Sequence, residues 1–518
     1  MAEVFNKVML VILDGLGVAS PSNGNAVSLA DPKFYQEMIQ YYPVRILQAS
    51  GPAVGLLWGE AGNSEVGHIT IGAGRLVDQE VSRINASIAD GSFYKKEGVL
   101  AAMDTVLKND STLHLIGLLG TGGVHSYDQH LYTLLGMAVD RGIQKIAMHI
   151  FTDGRDAPPK AALESMEKLQ NKIAELHHGY VATVTGRFYA MDRGGHWDQT
   201  EKTLGAILEG QGEKFTSPLE AISKRYEANV YDEMIPPTVI TDEAGMPLSK
   251  FSPGDSAIFF NYRNDRMLQL VKLFLEKVKD ITVATMTSYS PDFDVHVIFP
   301  PQELKNTLGE YISNQGWRQY RAAETEKFAH VTFFFNGQNH DPWPKEDREI
   351  IKSPAGNVKN YEDIPAMSAR QLTDAVVKRV LEGDDRFILV NYANADMVAH
   401  TGSVIATTEA LRVLDECLAK LTRACEEVNC LLIVTADHGN CEVLFDLETG
   451  QQHKEHTSNP VAFVLVAPGL KSAQKNNVNL YTLAAIPPSG ILADIAPTIL
   501  QYLGLPKPDE MTGNSLAV

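Results

Sequence analysis

Three short apolar runs constrain this chain more than any other feature. They are VMLVIL (8–13) before Asp14, FILVNY (387–392) before Asp396, and CLLIVT (430–435) before Asp437. Each is rich in β-branched residues, shows little polar alternation and leads into a Gly-containing or acidic turn. That is the pattern of a strand buried on both faces of a parallel sheet. In open α/β sheets, sites form just beyond the carboxyl ends of the strands. Asp14, Asp396 and Asp437 therefore fall where a site is expected, although one lies near the start of the chain and two near its end.

Helical periodicity links these strands. In 404–428 the apolar residues Ile405, Leu411, Leu414, Leu418, Leu421, Cys425 and Val428 recur at three- and four-residue steps. This predicts a crossover helix between the strands that carry Asp396 and Asp437. A second amphipathic stretch covers 491–506. The middle of the chain repeats the logic: LHLIGLL (113–119) leads to GTGGVHS, KIAMHIF (145–151) to TDGRD, VATVT (181–185) to GRFYAMDR, and AIFFNYR (257–263) to NDR. A chain of 518 residues exceeds one core. The expected architecture is two α/β domains. A discontinuous one is built from 1–78 and 303–518, and the second, 79–302, is inserted into it. The crossings fall near Leu76–Arg83 and Phe299–Glu303, where FPPQE gives a Pro-rich break.

The strand ends of the outer segments carry metal-ligand residue types: Asp14, Ser64, Asp396, His400, Asp437, His438 and His456. Mixed Asp and His ligands suit borderline divalent cations such as Mn²⁺ and Zn²⁺. Asp396 and His400 are spaced i, i+4, which places both on one face of a helical turn. Asp437 and His438 adjoin at a buried strand end, where unpartnered polar groups are costly. Ser64, in GNSEVGH, reads as a helix N-cap. A helix N-terminus also stabilises an oxyanion or a phosphoryl group. A bound cation would lower the hydroxyl pKa and make Ser64 a nucleophile.

The middle-domain strand ends carry Arg155, Arg187, Arg193, Arg263 and Arg266, a set suited to an anion pocket. Asp156 is a salt-bridge partner or a general base, and His125 a hydrogen-bond or proton-transfer group. Lys327, in AAETEKFAH, reaches a substrate or pairs with Glu324 or Glu326 at the surface. The net charge of −19 argues against non-specific nucleic-acid binding and against an anionic membrane surface. The run 8–13 is too short for a membrane span or a signal h-region, so a cytoplasmic protein is expected. Four cysteines, at 417, 425, 430 and 441, show no CxxC spacing and read as buried cytosolic thiols.

Beyond these features, one resemblance runs almost end to end. GNSEVGH (62–68), GGVHS (122–126), DGRD (153–156), GRFYAMDR (186–193), NYRNDR (261–266), AETEKFAHVTFFFNG (323–337), NADMVAHTG (394–402), TADHGN (435–440) and EMTGNSL (510–516) are similar to the motifs of cofactor-independent phosphoglycerate mutases. That family belongs to the alkaline-phosphatase superfamily and carries a second α/β domain inserted in the phosphatase domain. The resemblance implies interconversion of 3- and 2-phosphoglycerate through a phosphoserine on Ser64. It implies one metal on Asp396, His400 and His456, and another on Asp14, Ser64, Asp437 and His438. It also implies substrate contacts at His125, Arg155, Asp156, Arg187, Arg193, Arg263, Arg266 and Lys327, with Ser64, Asp156 and Lys327 catalytic.

Two divalent ions are expected, Mn²⁺ first, with Mg²⁺, Co²⁺ or Zn²⁺ as alternatives. No bisphosphoglycerate is required, and the protein is expected to be a monomer acting on a small molecule. Departures from the family pattern stand at Leu57, Gly120-Thr121, Gly194-Gly195-His196 and Lys454-Glu455; none removes a ligand. A related metal-dependent phosphohydrolase or phosphopentomutase would share the metal ligands but has no evident need for the DGRD, MDR and NDR set. A non-catalytic metal- or phosphate-binding protein would not need Ser64 beside them.

Overall fold

The computed structural model describes residues 3–354, 361–445 and 449–518. Strands are numbered along the chain. The first are β1 (Val8–Leu13) and β2 (Val44–Gln48). Next come β3 (Leu113–Leu118), β4 (Ile146–Thr152), β5 (Tyr180–Gly186), β6 (Glu213–Phe215), β7 (Thr238–Ile240), β8 (Ser256–Phe259), β9 (Thr282–Thr287) and β10 (His296–Phe299). The last are β11 (Gln319–Glu324), β12 (Glu346–Ile351), β13 (Phe387–Tyr392), β14 (Leu431–Thr435), β15 (Val461–Val466) and β16 (Gly490–Ile491).

The chain divides into two units, one made of 1–79 with 303–518 and the other of 80–302. The first unit holds a mixed sheet ordered β12-β11-β13-β1-β14-β15-β2-β16. From β12 to β14 the strands are parallel; β15 pairs antiparallel with both β14 and β2. Every residue of β1, β13 and β14 is buried, which is why these segments read as apolar runs rather than alternating ones. Each buried Val, Leu or Ile contributes about 1.5–3 kcal/mol, so Leu10→Ala should cost about 2–5 kcal/mol.

The helix Val404–Glu427 carries the chain from β13 over β1 to β14. Ser403 caps it by accepting from the Ala406 N–H. Leu411, Leu414, Leu418, Leu421 and Cys425 are buried on the sheet side, as the periodicity predicts. Ile405 departs from that pattern. It sits in the first turn and is 86% exposed. The 491–506 stretch contributes the helix Ile495–Tyr502, buried over most of its length.

The second unit has its own sheet, ordered β10-β9-β8-β3-β4-β5-β7-β6 and parallel except where β5 meets β7. Its core includes Ile116, Phe151, Phe259, Val271 and Phe274. The segment AIFFNYR leaves the sheet after Phe259, earlier than its apolar character suggests. Asn261 turns inward there and accepts the Leu118 N–H at 2.8 Å. The four cysteines are buried and free. Among the described residues, no helix is long and apolar enough to cross a membrane.

Candidate active site

The site in the first unit begins with the turn after β1. Gly15 has a φ of +74°, and a Cβ there would meet the Asp396 Cβ at 2.8 Å. Glycine adopts this backbone without strain, and no side chain fits the approach. The helix Ser64–Ala73 packs as closely from the other side: a Cβ on Gly67 would meet the Asp437 backbone oxygen at 2.8 Å. The cap of this helix is Asn63, whose side chain accepts the Val66 N–H at 3.0 Å. Ser64, expected as the cap, is instead the first helical residue, because Asn63 takes the extended backbone a cap requires. Ser64 is therefore presented at a helix N-terminus with its hydroxyl free for other partners.

Those partners are close. Ser64 Oγ lies 3.1 Å from Asp14 Oδ1 and 2.9 Å from His438 Nε2. Lys327 Nζ donates to Ser64 Oγ at 2.7 Å, to Asp14 Oδ1 at 2.6 Å and to Asp396 Oδ2 at 2.7 Å. Lys327 is buried rather than paired at the surface with Glu324 or Glu326. Its ammonium stands among oxygen atoms of metal-ligand type, as a cation would.

Beside it, His400 Nε2 and His456 Nε2 each approach Asp396 Oδ1 to 3.3 Å and lie 3.2 Å apart. His400 Nδ1 donates to the Lys454 carbonyl and His456 Nδ1 to the Gly62 carbonyl. Those bonds fix the Nδ1 proton, so in the neutral rings both Nε2 lone pairs point at one spot. Two lone pairs and a carboxylate oxygen at this spacing repel unless a proton or a metal ion lies among them. Among the described residues, three groups have ligand atoms within 4.8 Å of one another: Asp396/His400/His456, Asp14/Asp396/His438 and Asp14/His68/Asp437. Asp437 Oδ2 is buried and accepts no hydrogen bond of good geometry; its nearest donor, His68 Nδ1, is 3.3 Å away and already bonded to the Ser64 carbonyl, so the oxygen suits a cation. The donor set fits divalent metal ions.

Charge is strongly coupled here. Burial lowers the His438 pKa, but Asp437, Asp14 and Asp396 outweigh it and raise the group to about 10. Burial likewise disfavours the Lys327 ammonium, yet Asp14, Asp396 and Asp437 raise its pKa. The Asp396 and Asp437 carboxyls are held well below the usual range; burial opposes this, while Lys327 leads for Asp396 and His438 for Asp437. The hydrogen bond that the His400 ring donates to Asp396 raises the His400 pKa.

Other residues, not foreseen from the sequence, hold the candidate ligand side chains. Asn440 Nδ2 donates to Asp396 Oδ1 at 2.8 Å. Glu442 accepts the Gly17 N–H at 3.1 Å, the Asn440 N–H at 2.8 Å and Asn459 Nδ2 at 3.0 Å. It thereby joins three loops. Asn391 Nδ2 reaches Asp14 Oδ2 at 2.7 Å and His68 Nε2 at 3.1 Å. A signal for Asn391 was present: an amide inside a wholly buried strand needs partners.

In the second unit, the loops after β4, β5 and β8 bring arginines together. Arg187 is buried and donates to Asp153 Oδ1 at 2.5 Å and Asp156 Oδ2 at 2.6 Å. Asp156 Oδ2 also lies 3.6 Å from His125 Nε2. Arg193 and Arg263 both pair with Asp265, at 2.5 and 3.0 Å, and stay about half exposed. Arg155 is 3.6 Å from Glu233, and Arg266 donates to the Met191 carbonyl at 3.2 Å. Burial and then the neighbouring Arg187 and Arg193 lower the Arg266 pKa, the mark of clustered like charge. Burial, reinforced by Arg187, lowers His125 to about 4, so it is neutral near pH 7. Arg187 thus differs from the other arginines. Its fork is already engaged by two aspartates, of which Asp153 gave no signal in the sequence beyond its place in DGRD.

The first unit thus holds a serine at a helix N-terminus against carboxylate and imidazole groups, on a sheet whose chain is interrupted by a second α/β unit. Comparison with known proteins gives this arrangement a family. Residues 84–291 match the family model of the BPG-independent PGAM N-terminus (iPGM_N). A 2,3-bisphosphoglycerate-independent phosphoglycerate mutase from Clostridium novyi is 45% identical, over 98% of this chain and 99% of that protein. One from Methanosarcina acetivorans, named 2,3-bisphosphoglycerate-independent phosphoglycerate mutase 1, is 44% identical over the whole of both. The crystal structure of Leishmania mexicana phosphoglycerate mutase at low cobalt concentration superposes with a TM-score of 0.69 at 30% identity, covering 99% of this chain and 98% of that one. The chain belongs to the family of 2,3-bisphosphoglycerate-independent phosphoglycerate mutases, which are isomerases.

Proposed function

We propose that the protein interconverts 3-phosphoglycerate and 2-phosphoglycerate through a phosphoserine on Ser64. The observation that carries this reading is the position of Ser64 Oγ, 2.7 Å from Lys327 Nζ and 2.9 Å from His438 Nε2, at the start of a helix. Asp396, His400 and His456 would hold one divalent ion, and Asp14, Ser64, Asp437 and His438 a second. Mn²⁺ is the expected metal; the Leishmania mexicana relative's crystal structure is described as at low cobalt concentration. Bound there, such ions lower the hydroxyl pKa and offset charge on a transferring phosphoryl group.

The chain's own groups do the rest. Ser64 Oγ loses its proton to solvent and bonds to phosphorus as the bond from phosphorus to the 3-oxygen breaks. The helix N-terminus and the Lys327 ammonium stabilise the phosphoryl oxygens. Asp156 takes the proton of the 2-hydroxyl and passes it to the 3-oxygen. The 2-oxygen then attacks phosphorus, the bond from phosphorus to Ser64 Oγ breaks, and Ser64 regains its proton from solvent. Arg155, Arg193, Arg263 and Arg266 recognise the carboxylate and phosphate, with His125 as a neutral hydrogen-bond partner. No bisphosphoglycerate is consumed, because the substrate is its own phosphoryl donor. The reading also places the protein in the cytoplasm, where its four free thiols stay reduced, and takes it to be a monomer.

The test is a mutase assay on Mn²⁺-loaded protein without bisphosphoglycerate, with quenched samples searched for phosphoserine. Phosphate on Ser64 and a mixture of both phosphoglycerates are expected. Ser64→Ala should fold and lose more than about a hundredfold in rate, about 2.7 kcal/mol. Release of inorganic phosphate alone would mean a phosphohydrolase. Turnover of pentose phosphates alone would mean a phosphopentomutase.

A further inference from the structure

His68 is wholly buried, four residues after Ser64 on the same helix, and takes no part in the chemistry above. Its ring has one consistent protonation. Asn391 Nδ2 must face Asp14 Oδ2, 2.7 Å away, because a carboxylate accepts and does not donate. The same amide nitrogen lies 3.1 Å from His68 Nε2, so Nε2 is the acceptor and the ring proton sits on Nδ1. Nδ1 in turn donates to the Ser64 carbonyl at 2.8 Å and stands 3.3 Å from Asp437 Oδ2. His68 belongs to one of the metal-capable groups, with Asp14 and Asp437. With a proton on the nearer nitrogen and an amide on the other, it offers no lone pair to a metal.

We propose that His68 and Asn391 are positioning residues, a chain Asp437–His68–Asn391–Asp14 that sets the distance and orientation of the two carboxylates for one cation. The proposal rests on the metal-dependent reading above. The carboxylates follow β1 and β14, adjacent strands; Lys327 holds Asp14 Oδ1 and the Gly15 N–H holds Asp437 Oδ1, so Asn391 and His68 act on the second oxygen of each, Oδ2. Asn391 enters from β13, on the far side of β1, and His68 from the helix that carries Ser64. The bond to the Ser64 carbonyl ties the nucleophile's backbone to the same chain. Groups that orient metal ligands in this way are worth about 10–100-fold in metal affinity.

The experiment uses full-length protein stripped of metal: wild type, His68→Ala, Asn391→Ala and the double variant. Each is titrated with Mn²⁺ by calorimetry, and kcat and KM for phosphoglycerate are measured at saturating Mn²⁺. Both single variants should weaken the same Mn²⁺ site by about 10–100-fold and leave the other within about twofold. The double variant should lose less than the product of the single losses, because both act through one chain. Excess Mn²⁺ should restore most of kcat, with KM unchanged. Unchanged Mn²⁺ affinity, equal weakening of every site, or single losses that multiply would overturn the proposal. So would failure of both single variants to fold, which would make the pair structural. Wild-type protein that binds Mn²⁺ but makes no mutase product would defeat the proposed reaction, while the affinity comparison would still judge His68.

Discussion

Lys327 Nζ lies 2.6 Å from Asp14 Oδ1, although the two residues come from the two separate segments of the first unit's chain. The lysine balances a carboxylate cluster that would be intolerable if buried alone. Lys327→Met should therefore destabilise the metal-stripped protein by about 3–5 kcal/mol, the usual loss when one partner of a buried pair is removed. Mn²⁺ should recover much of that stability, since it supplies the missing positive charge. Urea denaturation with and without metal checks this; an equal loss in both states would show that the lysine acts through packing.

If His438 is a metal ligand, as proposed, proton and metal compete for it. Its pKa in the folded, metal-free protein is about 10, against about 6.5 for an unfolded histidine. The protonated ring therefore adds stability that is complete below about pH 6.5 and is lost as pH rises through about 10. His400 is raised too and acts in the same direction. Metal-stripped protein should become less stable between neutral and alkaline pH, while apparent Mn²⁺ affinity climbs as protons leave the ligands. Denaturation and metal titration across about pH 6–8.5 read both trends. A flat metal affinity over that window would count against the histidines as ligands.

The arginines of the second unit should separate into two kinds. Arg187 is buried against Asp153 and Asp156, so Arg187→Ala should cost about 3–5 kcal/mol of stability. Arg263 is about half exposed, and its pair with Asp265 is worth about 0–1 kcal/mol. Arg263→Ala should leave stability nearly intact and raise KM by about tenfold or more, about 1.4 kcal/mol. Thermal denaturation beside kinetics makes the comparison; a large stability loss for Arg263→Ala would assign it to the scaffold.

Glu324, at the end of β11, is fully buried, and burial raises its pKa from 4.5 to about 7. A carboxyl raised on folding contributes stability that is complete below its unfolded pKa, about 4.3, and is lost as pH climbs through about 7. Glu324→Gln keeps the shape and cannot ionise. In metal-stripped protein it should be more stable than wild type at about pH 8 and show no such advantage at about pH 5. The same advantage at both values would trace the effect to something other than ionisation.

Much of this was legible because strand ends are marked twice. β1, β13 and β14 announce themselves as apolar runs, and an Asp follows each within four residues, so pattern and chemistry point to the same places. Asn391, Asn440 and Glu442 were not legible. Their roles depend on which loops meet in space, and an amide or carboxylate looks alike in sequence whether it holds a ligand or caps a turn. Lys327 was read as a possible surface lysine because Glu324 and Glu326 flank it. Its burial follows from the turn after β11, which no local spacing reveals. The cap at Asn63 rather than Ser64 was a one-residue ambiguity between two good capping side chains.

Among the described residues, β1 has only β13 and β14 as hydrogen-bonded neighbours. On a ribosome, Val8–Leu13 therefore emerges long before either partner exists, and the whole of 80–302 is made while it waits. The second unit has its own sheet and can fold in that interval, but the centre of the first cannot close until residues 387–392 and 431–435 have been synthesised. For most of translation an apolar, β-branched hexamer must be kept from pairing with its copies on neighbouring chains. A chain truncated before residue 387 would never bury it, and such fragments should aggregate through their first strand.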